Sequence, residues 1–140
     1  MKPQLPLRVG FTCSAFDLLH PGHIEMLNEC KSHVDWLIVG LHSDPTIDRP
    51  NVKNKPVQSL YERFVQLRAV KFVDEIIPYE TEYDLINMLG IEPITHRFVG
   101  IEYKDTYIVG QDICEKRGIN IVYNSRFHQY SSTELRSRLS

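Results

Sequence analysis

The chain of 140 residues is 42% hydrophobic and 24% charged, with a formal net charge of −2. That balance fits one domain, residues 1–140, burying roughly 68% of its unfolded surface, and it excludes a disordered or fibrous chain. The small negative charge argues against bulk attraction to nucleic acid, no apolar run approaches the ~20 residues of a membrane helix, and two prolines stand where a secretory leader would be apolar.

In chain order, residues 7–13 form an apolar, β-rich run that predicts a buried strand. A turn holding Phe16-Asp17-Leu18-Leu19-His20-Pro21-Gly22-His23 leads into a helical pattern at Ile24, Leu27 and Cys30. A second strand is predicted at 36–41, then an exposed loop at 44–56 with three prolines. Leu60, Phe64, Leu67 and Val70 mark the next helix, closed by Lys71, and residues 73–77 the third strand. Leu85, Ile86 and Leu89 follow as a helix, then strands at 98–101 and 119–123. Gly90 and Gly118 stand where helix C-caps would fall. Ser131-Ser132-Thr133-Glu134 fits a capping box, which predicts a last helix starting at Ser131 and ending near Leu139.

Strand and helix alternate, so the expected fold class is α/β: a Rossmann-like parallel sheet of about five strands with helices on both faces. Such sheets bind ligands outside the carboxyl ends of their strands.

The charge is unevenly spread. Residues 49–71 hold six basic side chains (Arg49, Lys53, Lys55, Arg63, Arg68, Lys71) against Glu62, whereas residues 72–105 hold eight acidic ones against Arg97 and Lys104. This reads either as two solvated faces or as a local cationic site for a small anion. Cys13, Cys30 and Cys114 are odd in number and form no C-x-x-C pair, so no disulfide framework or zinc knuckle is signalled and a reducing cytoplasm is the expected location.

The turn after the first strand carries the chemistry. Pro21 suits a first helical turn, Gly22 lets a ligand approach the backbone, and His20 and His23 fall on one face of the helix start, where free amides favour an anion. Two imidazoles aimed at a phosphate can donate to oxygens that gain charge during nucleotidyl transfer. Two other readings stay open: a metal site on Asp17, His20 and His23, for which no second ligand cluster is visible, and a histidine pair that merely caps a helix.

His20-Pro21-Gly22-His23 after Phe16-Asp17, with Ser43-Asp44, Tyr61-Glu62-Arg63 following Lys55, and Arg126 ahead of Ser131-Ser132-Thr133, resembles the cytidylyltransferase-like nucleotidyltransferases over nearly the whole chain. The glycerol-3-phosphate cytidylyltransferase branch is the most similar. The resemblance implies a nucleoside triphosphate substrate, CTP favoured, carried with Mg2+, a small phosphorylated or hydroxylated acceptor such as a polyol phosphate, loss of pyrophosphate, and a homodimer. An adenylyltransferase with the same phosphate machinery and a nucleotide-binding module without turnover are the alternatives.

The same resemblance implies that His20, His23, Lys55 and Arg126 are catalytic. It places Ala15, Phe16, Pro21, Gly22, Lys53, Arg63, Gly100, Ser131, Ser132 and Thr133 at the nucleotide, and Asp17 and Asp44 at the acceptor. No resident metal site is implied. The chain departs from the family at Ser14-Ala15, where Gly-Thr is usual, and at Ile101-Glu102-Tyr103, where paired aspartates are common. The acceptor lysine expected after Ile76-Ile77-Pro78 is missing, with Glu80, Glu82 and Asp84 there instead.

Overall fold

The computed structural model describes residues 7–125 and 132–139. Five parallel strands, β1 (Val9–Ser14), β2 (Trp36–His42), β3 (Glu75–Tyr79), β4 (His96–Gly100) and β5 (Asn120–Asn124), lie in the order β3-β2-β1-β4-β5. The chain builds outward from β1 to β3, then returns to the other side of β1. Neighbouring β1 and β4 are thus left by connections heading to opposite edges, the place where open α/β sheets hold ligands.

Helices α1 (Pro21–Ser32) and α2 (Leu60–Arg68) cover one face, packing Leu27, Cys30 and Leu67 on Leu37, Val39, Leu41 and Phe98. Helices α3 (Glu82–Ile91) and α4 (Gln111–Arg117) cover the other, packing Leu85, Leu89 and Cys114 on Val9, Phe11 and Ile38. The even and odd residues of β2 therefore enter different cores, as a strand buried on both faces requires. A short helix, α5 (Ser132–Ser137), follows the last strand. No helix among the described residues is long and apolar enough to cross a membrane.

Some boundaries differ from the sequence reading. Gly118 does end a helix, in the left-handed conformation (φ 71°) that glycine adopts without a Cβ penalty. Gly90 does not: it lies inside α3, whose C-cap is Glu92, held extended (ψ 148°) ahead of Pro93. Helix α2 stops at Arg68, so Val70 and Lys71 lie beyond it. Strand β3 runs two residues later than expected and contains Pro78, which an edge strand tolerates because that position needs no ladder donor on its outer side. Trp36 is partly buried and donates its indole N–H to Glu75 Oε1 at 3.1 Å.

Candidate active site

A cleft of about 720 Å³ opens at the carboxyl ends of the strands, within the usual range of ligand pockets. One wall is the turn from β1 into α1. Phe16 (φ 49°) and Leu18 (φ 52°) both take the left-handed conformation, which costs a bulky residue on the order of 1–2 kcal/mol and persists where surroundings over-determine it. The surroundings are explicit. Asp17 accepts the amides of Val57 and Gln58 at 2.8 and 2.9 Å and pairs with Arg136 of α5 at 3.1 Å, while Leu18 donates its amide to Gln58 Oε1 at 2.8 Å. Phe16 is fully buried beneath.

This bracing presents the two histidines at the start of α1. His20 is the N-cap, in extended conformation, and its Nδ1 accepts the Gly22 amide at 3.0 Å. Its own amide donates to Nδ1 of His23 at 3.2 Å. The pair is a capping box built from imidazoles in place of Ser and Glu. A neutral imidazole that accepts at Nδ1 carries its proton on Nε2, so both rings are set as Nε2–H donors beside the cleft they line. The rings stack at 3.9 Å, and Phe16 lies 5.4 Å from the His23 ring. Burial, then the neighbouring His20 charge, pull His23 down to about 4, against a smaller opposing effect of Asp17. His23 is therefore neutral at physiological pH.

Ala15, Phe16, Asp17, Gly22, Lys53, Lys55 and Gly100 line the same cleft as the histidines. Lys53 and Lys55 are exposed on the loop that follows β2. Pro21 stands at the first turn of α1, as its missing N–H allows. Arg126 and Ser131, and the side chains of Ser132 and Thr133, lie outside the described residues.

Two residues expected at the ligand stand elsewhere. Arg63 is 2% exposed and does not line the cleft. Its guanidinium donates to the carbonyls of Ala15, His42 and Ser43 at 2.9, 2.7 and 2.6 Å, so it ties the ends of β1 and β2 to α2. Asp44 also stays out of the cleft: one oxygen accepts the amide and hydroxyl of Thr46 at 3.0 and 2.6 Å, capping a turn and holding its carboxyl below the usual range. Asp17 does line the cleft, with the bracing bonds already described. No group of three His, Cys, Asp or Glu side chains among the described residues is arranged to hold a metal ion.

Another part of the cleft lining escaped the sequence reading. Cys13, Tyr79 and Arg97 gather there, with Val109 beside Arg97. Arg97 sits on β4 opposite Phe11 of β1, within an acidic stretch of sequence where it reads as a stray cation. Arg49 pairs with Glu82 at 2.9 Å across the rim, fastening the basic loop to α3.

The cytidylyltransferase-like family model matches residues 11–138. The bifunctional protein HldE of Hyphomonas neptunium is 35% identical over 132 residues, 94% of this chain and 27% of that protein, and HldE of Rhodopseudomonas palustris is 36% identical over 129 residues, 92% and 26%. The chain thus spans about a quarter of the length of these relatives. A crystal structure of a lipopolysaccharide core biosynthesis protein from Thermoplasma volcanium has the same fold, with TM-score 0.71 and 25% identity over 87% of this chain and 99% of that one. With fold, histidine turn and family model in agreement, the chain belongs to the cytidylyltransferase-like family and is a nucleotidyltransferase domain.

Proposed function

We propose that this chain transfers a nucleoside monophosphate, cytidylyl by preference, from a magnesium-bound nucleoside triphosphate to a small phosphorylated or hydroxylated acceptor. The observation that carries the reading is the reciprocal capping of His20 and His23, which fixes two Nε2–H donors side by side at a helix start. Donors placed where the α- and β-phosphate oxygens gain charge stabilise the transition state without reorganising.

The acceptor oxygen attacks the α-phosphorus, a new P–O bond forms, and the bond to the bridging oxygen of the β-phosphate breaks, so pyrophosphate leaves with the electron pair. A phosphate monoester acceptor is mostly dianionic at pH 7 and has no proton to lose, while an alcohol gives its proton to water. His23, neutral, serves as a hydrogen-bond donor and not as an acid. Lys53 and Lys55 on the rim supply charge for the triphosphate tail. Arg126, Ser131, Ser132 and Thr133 complete the phosphate cradle in this reading, by resemblance alone.

The likeness to a lipopolysaccharide core biosynthesis protein supports an acceptor from sugar or polyol chemistry. Three free thiols among the described residues suit a reducing, cytoplasmic location. A homodimer belongs to the same reading and is tested by sedimentation. The activity itself is tested by incubating the protein with each of four nucleoside triphosphates, Mg2+ and a panel of polyol and sugar phosphates. Pyrophosphate released with CTP supports the proposal, release with ATP alone converts it to adenylyl transfer, and no release with any pair refutes turnover.

A further inference from the structure

The cleft holds a cation for which the histidine turn gives no role. Arg97 is 5% exposed and lines the cleft, and its Nε is a buried donor with no hydrogen-bond partner. One terminal nitrogen donates to the Val109 carbonyl, and the approach is made possible by Gly110, where a Cβ would lie 3.2 Å from Arg97 Nη1 and 2.4 Å from Leu89 Cδ1. Among the described residues no carboxylate forms an ion pair with Arg97.

The neighbours give no compensating charge. Burial pushes the Cys13 thiol up, and burial together with Cys13 pushes the Tyr79 phenol up, so both are neutral at physiological pH. A buried guanidinium without a counter-ion or a full set of acceptors loses hydration that nothing replaces, and an apolar residue would fill the same space without that cost. The arrangement is economical only if an anion completes it, and guanidinium is the side chain best matched to a planar or tetrahedral oxyanion. Arg97 lines the same cleft as the histidines but stands on β4 and not on the turn into α1, a position that suits the second substrate.

We propose that Arg97 is the specificity residue for the acceptor, binding an oxyanion (phosphate monoester or carboxylate) that the acceptor must carry. This rests on the nucleotidyltransferase reading and narrows it: a neutral polyol would leave Arg97 unpaired and be a poor substrate. The bound oxyanion is an anchor and changes no bond during the transfer.

The test is an NMR titration of the full chain that follows the Arg97 Nε–H resonance, assigned by its loss in Arg97→Lys, as inorganic phosphate, glycolate or ethylene glycol is added. Phosphate or glycolate should shift it saturably and ethylene glycol should not, and the tighter of the two anions names the acceptor's charged group. In Arg97→Met the affinity for that anion should fall about 10- to 100-fold, with thermal protection by CTP or ATP unchanged. A resonance indifferent to both anions overturns the proposal, as does unaltered anion affinity or lost nucleotide protection in Arg97→Met. If no nucleotide protects the wild type, the nucleotidyltransferase reading falls, while the anion titration still decides whether Arg97 binds an oxyanion.

Discussion

The backbone amide of His20 donates to Nδ1 of His23 across 3.2 Å while the two rings stack 3.9 Å apart, so the N-cap residue sets the tautomer of its neighbour. Structure and chemistry meet in this pair, because each ring spends one nitrogen on the helix and keeps the other for a ligand.

The two duties can be separated by substitution. Asn is a good N-cap but lacks the Nε2–H donor, so His20→Asn should keep the melting temperature of the wild type while turnover falls about 10²- to 10³-fold. His20→Ala should lose the same turnover and on the order of 1 kcal/mol of stability as well. Equal turnover in wild type and His20→Asn, measured by pyrophosphate release, would reduce the pair to a helix cap.

His23 makes stability depend on acidity. Its folded value is depressed to about 4, below the ordinary 6.5, so between these values the unfolded chain binds a proton that the folded one refuses. The contribution is intact above pH 6.5 and is lost as pH falls toward 4, amounting to about 3 kcal/mol. Urea unfolding at pH 7.5 and 4.5 should therefore show a steeper acid loss for wild type than for His23→Asn. Parallel losses would mean that His23 titrates normally.

Arg63→Met should cost roughly 3 kcal/mol in urea unfolding, because the carbonyls of Ala15, His42 and Ser43 lose their donor together. A residue that mainly touched nucleotide would show the opposite: little change in stability and weakened thermal protection by CTP.

Cys30 is buried, and that burial pushes its thiol up to about 12, so it carries almost no thiolate at pH 8. Alkylation at pH 8 followed by mass spectrometry should leave Cys30 unmodified in folded protein and modify it readily in urea. Rapid labelling of the native chain would contradict the packing of α1 on the sheet.

The alternation of β-rich runs and apolar helical spacing made the sheet and its coverage readable from sequence, since both faces of β2 and β1 must be apolar when helices cover them. Helix ends were less readable where two stop signals compete: Gly90 resembled a cap, but the constraint that acts is Pro93 on Glu92. Helix α4 has few apolar residues in its seven, so periodicity hardly marks it, though Gly118 does. In the site, the histidine turn was legible because its meaning is local. Arg63 and Arg97 were not, because a cation's role depends on partners brought from distant segments: Ala15 and Ser43 for the first, Val109 and Cys13 for the second.

The most direct measurement is a crystal structure of the chain with CTP and Mg2+. The account predicts Nε2 of His20 and of His23 within about 2.7–3.1 Å of α- or β-phosphate oxygens, with the rings still stacked. A triphosphate seated with neither imidazole in hydrogen-bond reach would contradict it.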